Sequence, residues 1–317
     1  MQKIVFLDSD TLSPSTVLRR PDFPHEFVAY GRTRPDEVAS RVADADIVIT
    51  NKVKLNADTI AGAAKLRFIA VAATGYDIID IEACRARGVV VSNIRGYAVN
   101  TVPEHVFALI FALRRSLLAY RAAVRAGRWQ QADQFCFFDY PIRDLAGSTL
   151  GVVGGGALGS GVARIGEALG MTVLFSARKG EAAGEGRVAF EEMLARSDVI
   201  SLHCPLTPQT RGLISDAEFA AMTRRPILIN TSRGGLVDEA ALVRALDQGL
   251  IAAAGFDVVT TEPPPLDNPL MTILDRPNFI LTPHVAWASD EAVQTLADQV
   301  TDNLEAFVAG APRNRLV

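Results

Sequence analysis

Gly151-Val152-Val153-Gly154-Gly155-Gly156-Ala157-Leu158-Gly159 decides the fold of this 317-residue chain. The apolar run 149–153 reads as a strand that leads into it. Leu158, Val162, Ile165 and Leu169 then recur on one helical face, and Gly170 ends that helix. A second strand, 172–176, follows. The Gly-x-Gly-x-x-Gly pattern therefore lies between a strand and a helix, the context that gives it meaning. Gly154 permits a tight turn, Gly156 lets the backbone approach a pyrophosphate, and Gly159 lets helix and strand pack closely. The helix start adds free N–H groups and a positive dipole end for the phosphates. A glycine-rich turn in an ordinary α/β domain is the plainer alternative. The strand–turn–helix–strand order favours a dinucleotide site.

The whole chain narrows the class. Its length suggests two domains. With 49% apolar and 21% charged residues, it has the balance of a soluble globular protein. The net charge of −4 and the lack of a Lys/Arg stripe argue against nucleic acid as a main partner. Cys84, Cys136 and Cys204 are odd in number, lack metal-type spacing, and read as free thiols in a reducing compartment. Cys204 follows His203, but sequence adjacency is not a catalytic dyad; a buried strand-end cysteine is the favoured reading. Met1-Gln2-Lys3 runs straight into a strand-like segment, 4–7, without a signal-peptide pattern. The longest apolar stretch, 106–113, is too short to span a bilayer. The expectation is a cytoplasmic protein that is not a membrane partner.

The first hundred residues alternate strands (4–8, 47–50, 68–72, 89–92) with helices such as 36–43 and 79–87, the latter stopped by Gly88. That alternation predicts a parallel sheet. A long helix is expected over 101–126, with Thr101 and Glu104 as a capping box and Pro103 tolerated in the first turn. Val106, Phe107, Ile110, Phe111, Leu113 and Leu117 make it apolar on several faces, so it must be covered on more than one side. A core helix and a subunit interface both satisfy that need. Strands 199–203, 226–230, 252–257 and 279–281 then complete a six-strand doubly wound sheet. Helix 238–248, stopped by Gly249, lies among them. A last helix, 289–308, lies beyond that sheet and is free to return to the first domain. No internal repeat, low-complexity tract or long linker interrupts the chain.

Two domains imply a substrate cleft, and in open α/β sheets ligands sit at the C-terminal strand ends. Three polar residues at such ends stand out. Arg233 follows strand 226–230 in Asn230-Thr-Ser-Arg233-Gly-Gly. Its guanidinium can grip a carboxylate through two parallel hydrogen bonds, and the flanking glycines favour that role over a solvated loop arginine. Glu262 follows the strand ending at Asp257, and His284 follows strand 279–281. A carboxylate beside an imidazole stabilises the imidazolium and poises it as a proton donor near neutral pH. Without such a partner, a strand-end histidine reads as structural. Of the other histidines, His25 is placed in an early loop, His105 opens the long helix, and His203 ends a strand and is the rival catalytic candidate.

These pieces match a family. The glycine loop, Thr231-Ser-Arg233-Gly-Gly-Leu-Val-Asp238, Asp257-Val-Val-Thr-Thr-Glu262-Pro and Thr282-Pro-His284 resemble the D-isomer-specific 2-hydroxyacid dehydrogenases. So do Ala72-Ala-Thr74-Gly75-Tyr-Asp77 and Val102-Pro-Glu104-His105, so the resemblance spans nearly the whole chain. It implies an α/β fold of two doubly wound parallel-sheet domains. One is a Rossmann dinucleotide-binding domain, 99–287. The other is flavodoxin-like, discontinuous and substrate-binding, 1–98 with 288–317.

The resemblance also implies roles for particular residues. Arg233, Glu262 and His284 would be catalytic; Thr74, Gly75, Arg233 and Trp287 would meet substrate. Cofactor contacts would fall on Gly154, Gly156, Ala157, Leu158, Gly159, Ser176, Arg178, Lys179, His203, Pro205, Thr231 and Asp257. The long helix becomes a homodimer contact. The implied reaction is hydride transfer between a nicotinamide cofactor and the 2-oxo carbon of a small 2-oxoacid. Arg233 would hold the carboxylate and His284, paired with Glu262, would give the proton. Side chains handle charge and proton, so no metal is called for.

One departure bears on the cofactor. The acidic residue expected at the end of the second dinucleotide strand, where it would hold a ribose 2′-hydroxyl, falls on Ala177, and Arg178 follows. Loss of the carboxylate removes repulsion of a 2′-phosphate, and an adjacent arginine can bind it. NADP(H), alone or with dual use of NAD(H), is therefore favoured, with NAD(H) the alternative if Glu181 replaces the missing acid. A non-catalytic dinucleotide sensor is the competing class, against which the intact Arg233/Glu262/His284 set argues. Within the family, the chain is expected to lack the regulatory domain often appended to 3-phosphoglycerate dehydrogenases. Formate dehydrogenases carry glutamine where this chain has Glu262. Phosphonate dehydrogenase shares the triad and stays open. Thr50-Asn51-Lys52-Val53 and His284-Val-Ala-Trp287-Ala-Ser289 look most like the glycerate dehydrogenase/hydroxypyruvate reductase branch, with hydroxypyruvate or glyoxylate favoured as substrate.

Overall fold

The computed structural model describes residues 1–317 and divides into two units, Met1–Ala98 with Ala288–Val317, and Val99–Trp287. In the first, β1 (Gln2–Phe6), β2 (His25–Ala29), β3 (Ile47–Thr50), β4 (Phe68–Val71) and β5 (Val90–Ser92) form a wholly parallel sheet in the order β2-β1-β3-β4-β5. Every residue of β3 and β4 is buried, as expected of central strands covered on both faces. Helices α1 (Val38–Val42), α2 (Ala57–Gly62) and α3 (Ile81–Arg87) alternate with the strands. Asp80 caps α3 by accepting from the Ala83 amide, and Gly88 closes it in the left-handed region at φ 67°.

His25 is not in a loop: it opens β2. The strand pairs only with β1 and none of its residues is fully buried. An edge strand needs no continuous apolar run, so His-Glu-Phe-Val-Ala carried no strand pattern.

The second unit begins with α4 (Thr101–Arg114) and α5 (Leu117–Arg125). The expected single helix over 101–126 is thus two. Ser116, at φ 49°, breaks it, and its hydroxyl donates to the Pro141 carbonyl at 2.7 Å. Nothing in the local sequence forbids a continuous helix; the break is a tertiary contact. The capping box is also absent. Asn100 is the N-cap and makes no side-chain cap bond, while Thr101 is already helical and donates its hydroxyl to the Ala286 carbonyl at 3.3 Å. Val102, Val106, Phe107, Ile110 and Leu113 are buried, and α4 packs on the sheet as a core helix.

The sheet comprises β6 (Thr149–Val153), β7 (Thr172–Phe175), β8 (Val199–Leu202), β9 (Ile227–Asn230), β10 (Ala253–Phe256) and β11 (Phe279–Leu281). All pairs are parallel, in the order β11-β10-β9-β8-β6-β7. Helices α6 (Ala157–Ala168), α7 (Phe190–Arg196), α8 (Asp216–Ala221) and α9 (Glu239–Asp247) connect them. Beyond β7 the sheet gains one more parallel bridge, Ser176 to Val188, a remnant of a further strand. Finally α10 (Asp290–Val308), capped by Ser289, returns to the first unit. Its Phe307 stacks on Phe68 of β4 with ring centroids 4.4 Å apart, and its Asn303 amide donates to the Asn93 carbonyl.

Candidate active site

The glycine loop leaves β6 in a turn that no other residue type would make easily. Gly154 has φ 104°, and a Cβ there would lie 2.5 Å from the His203 carbonyl oxygen. A Cβ on Gly159 would lie 1.9 Å from the carbonyl oxygen of Gly154, so α6 and the turn are packed backbone to backbone. Above Gly156, the N-cap of α6, there is open space. Ala157 and Leu158 form the first turn of this twelve-residue helix, whose initial amides have no intrahelical acceptor. An open cradle at a helix start suits a pyrophosphate. Thr231, just past β9, adds a buried hydroxyl with no hydrogen-bond partner, which a polar group of a bound cofactor would satisfy. These residues fit a dinucleotide.

At the end of β7, Ala177 is buried. The Ser176 hydroxyl donates to the Ala177 carbonyl. Arg178 is exposed and faces Glu181 at 3.5 Å, while Lys179 is turned to Glu218 at 2.7 Å. A further arginine, overlooked in the sequence, completes this corner. Arg187 donates to the Ser176 carbonyl at 2.8 Å, and its other terminal nitrogen is 3.1 Å from where a Gly155 Cβ would be. It precedes Val188, so the isolated bridge to Ser176 carries it there. A single bridging residue has no strand signature, and only its position after the glycine-rich segment 180–186 hinted at it.

The catalytic candidates rise from three adjacent strands, β9, β10 and β11, whose axes are about 4.8 Å apart. Arg233 is half-buried, with one terminal nitrogen donating to the Ser232 carbonyl. The Asn230 side chain braces this loop, giving its amide to the Arg233 carbonyl and accepting from the Ser232 amide. A Cβ on Gly234 would stand 2.0 Å from the backbone of Val259, so only glycine lets the Arg233 loop lie against the loop after β10. In that second loop Glu262 takes the Val259 amide on Oε1 and meets His284 Nδ1 with Oε2 at 2.6 Å.

Asp257 holds the third loop. Fully buried, it accepts from the Thr282 hydroxyl and the Val285 amide on Oδ1 and from the Ala286 amide on Oδ2. The His284 amide bonds the Asp257 carbonyl, and His284 itself sits at φ 55°, a conformation rare for a non-glycine residue. Trp287 donates its indole N–H to the His284 carbonyl at 2.9 Å. The family resemblance implies for Asp257 only a cofactor contact. Its hydrogen bonds make it the residue that positions His284.

His203, the rival, has a different setting. Its Nε2 lies 2.8 Å from the Ser201 hydroxyl, and burial of the ring pushes its pKa down to about 4, although part of the residue reaches solvent. A neutral imidazole at pH 7 is a poor proton donor. Cys204 is likewise pushed up by burial to about 11, which makes it an inert thiol. Pro205 accepts from Thr210 through its carbonyl. Thr74 and Gly75 belong to the first unit, just past β4, where the Thr74 hydroxyl donates to the Ile94 carbonyl at 2.8 Å.

A glycine cradle at a helix start, a carboxylate–imidazole pair and a loop arginine on a Rossmann sheet define a dinucleotide-dependent oxidoreductase. The chain belongs to the D-isomer specific 2-hydroxyacid dehydrogenases: the model of that family's NAD binding domain matches residues 107–286. Glycerate dehydrogenase of Methylorubrum extorquens is 52% identical over 314 residues, 99% of this chain and 98% of that protein. Hydroxypyruvate reductase of Blautia hydrogenotrophica is 39% identical over 98% of each chain. A solved protein of Thermus thermophilus superimposes with a TM-score of 0.85 at 32% identity, covering all of both chains. The chain is an NAD(P)-dependent enzyme that reduces 2-oxoacids to D-2-hydroxyacids.

Proposed function

We propose that the chain reduces hydroxypyruvate, and glyoxylate beside it, using NADPH in preference to NADH. The observation that carries the chemistry is the 2.6 Å pair of His284 Nδ1 with Glu262 Oε2, in a loop adjoining that of Arg233. Arg233 grips the substrate carboxylate with its planar fork. Glu262 occupies Nδ1, so Nε2 of His284 is the nitrogen left to hand a proton to the carbonyl oxygen. The reduced nicotinamide, when bound, supplies the hydride. Asp257 fixes the loop, and with it the direction of the His284 ring. Full-length similarity to proteins named glycerate dehydrogenase and hydroxypyruvate reductase supports the substrate assignment.

Ala177 offers no charge to repel a 2′-phosphate, and Arg178 and Arg187 stand at the same strand end. Glu181 competes for Arg178, but across 3.5 Å at an exposed position such a pair is weak. Initial rates over a panel of 2-oxoacids with each cofactor test both assignments. The expected result is hydroxypyruvate as best substrate and a higher kcat/KM for NADPH. Ala177→Asp with Arg178→Ala should reverse the cofactor preference. A tenfold preference of the natural chain for NADH would overturn the cofactor reading and leave the triad untouched.

A homodimer is part of the same proposal. Phe111, Leu117, Leu118, Phe135 and Phe138 are exposed on the end of α4, on α5 and on the segment that follows. Phe135→Glu with Phe138→Glu should shift sedimentation from dimer to monomer.

A further inference from the structure

We propose that a groove at the N-terminal edge of the second unit's sheet binds a small organic polyanion, a carbon compound bearing two or more carboxylate or phosphate charges. The groove holds about 610 Å³, the size of an ordinary small-molecule pocket. Ile227, the first residue of β9, and Ala253, the first of β10, lie in its wall. The glycine cradle and the catalytic loops leave the opposite ends of these strands, so the two sites are separated by the strand length of roughly 13 Å.

Four arginines from three segments line the groove: Arg114 at the end of α4, Arg143 before β6, and Arg224 and Arg225 before β9. No acidic residue lines it. Two of the four are already engaged. Arg224 gives Nε and Nη2 to the Asp198 carboxylate, and Arg114 directs Nε and Nη2 at the Asp144 carbonyl. The Asp144 carboxylate itself pairs with Arg115. The guanidinium groups of Arg143 and Arg225 make no hydrogen bond or ion pair.

Two further features mark this set. Burial lowers Arg114 from the usual arginine range, and neighbouring Arg143 and Arg224 push the same way, against Asp198 and Asp144. Arg225 stands at φ 51°, immediately before Pro226, a backbone state that favours glycine. The chain as a whole is acidic, so this concentration of positive charge is local. Leu113, Ile227, Leu246 and Ile251 give the groove an apolar floor under its cationic rim. A guanidinium fork matches carboxylate or phosphate oxygens in pairs, and the floor matches a carbon skeleton.

The test is calorimetric titration of the full chain, saturated with NADPH and held at constant ionic strength, with citrate in one arm and fructose 1,6-bisphosphate in the other. The expected result is one saturable site per chain for at least one probe; which probe binds tells carboxylate from phosphate recognition. Arg143→Ala with Arg225→Gly should weaken that binding tenfold or more. Glycine accepts the left-handed position, and Arg143→Ala alone, at an exposed site, serves if the pair impairs folding. Arg32→Ala, at an exposed position of the first unit, should bind the probes as the natural chain does. Equal binding in the natural chain and the groove variants would overturn the proposal. So would the absence of saturable binding to either probe, including the case in which a second copy of the chain covers the groove.

Discussion

The ends of β8 and β11 each present a histidine, and the two loops make opposite things of it. His203 continues the ladder of its strand, its amide bonded to the Val153 carbonyl, and its ring faces only the Ser201 hydroxyl. Burial then holds it neutral, with a pKa of about 4. His284 leaves its strand in a left-handed turn braced by Asp257, and its ring meets the carboxylate of Glu262. The residue type is the same and both lie at the C-terminal edge of one sheet. The partner across 2.6 Å, supplied by a different loop, separates an imidazole paired with a carboxylate from a buried, neutral one.

That contrast breaks if the two histidines prove interchangeable. His284→Ala should lower kcat by roughly 10²–10⁴-fold, the usual contribution of a positioned acid, with cofactor affinity in fluorescence titration almost unchanged. His203→Ala should cost less than about tenfold; the reverse ranking in steady-state rates would defeat the assignment. Glu262→Gln keeps a hydrogen-bonding group against Nδ1 and removes the charge, and should lower kcat by roughly ten- to a hundredfold. Arg233→Lys keeps charge and loses the fork, so KM for the 2-oxoacid should rise about tenfold with a smaller fall in kcat. Unchanged kinetics in that variant would place the substrate carboxylate elsewhere.

The smallest effect sharpens the other side of the comparison. The folded protein holds His203 near 4, below the ordinary value of 6.5. As pH falls, the unfolded chain takes up the proton first. The stability tied to the neutral ring is therefore complete above pH 6.5 and is lost as pH drops toward 4. Urea midpoints measured between pH 7.5 and 5 should fall for the natural chain and fall less for His203→Phe.

Much of this was legible from residues. The glycine loop, Arg233, Glu262 and His284 stood in motifs whose spacing fixes strand, turn and helix, and each is found at the C-terminal end of its strand. What escaped depended on contacts far away in sequence. The edge strand β2 has no apolar periodicity, the break at Ser116 is set by Pro141, and Arg187 reaches the dinucleotide corner on one bridging residue. The bracing role of Asp257 was hidden for the same reason, since its partners lie 25 to 29 residues away. The four groove arginines come from separated segments and form no charge run.

Gly234, pressed against the backbone of Val259 and Thr260, has a consequence for how the enzyme breathes. Two segments that meet without an intervening side chain cannot part by a rotamer change; one must lift off the other. The stretch 231–236 and the stretch 258–262 should therefore exchange their amide hydrogens with deuterium as a single cooperative unit, at one opening free energy. A bulkier residue at 234 would speed exchange in both stretches together, including the Val259 amide that Glu262 holds.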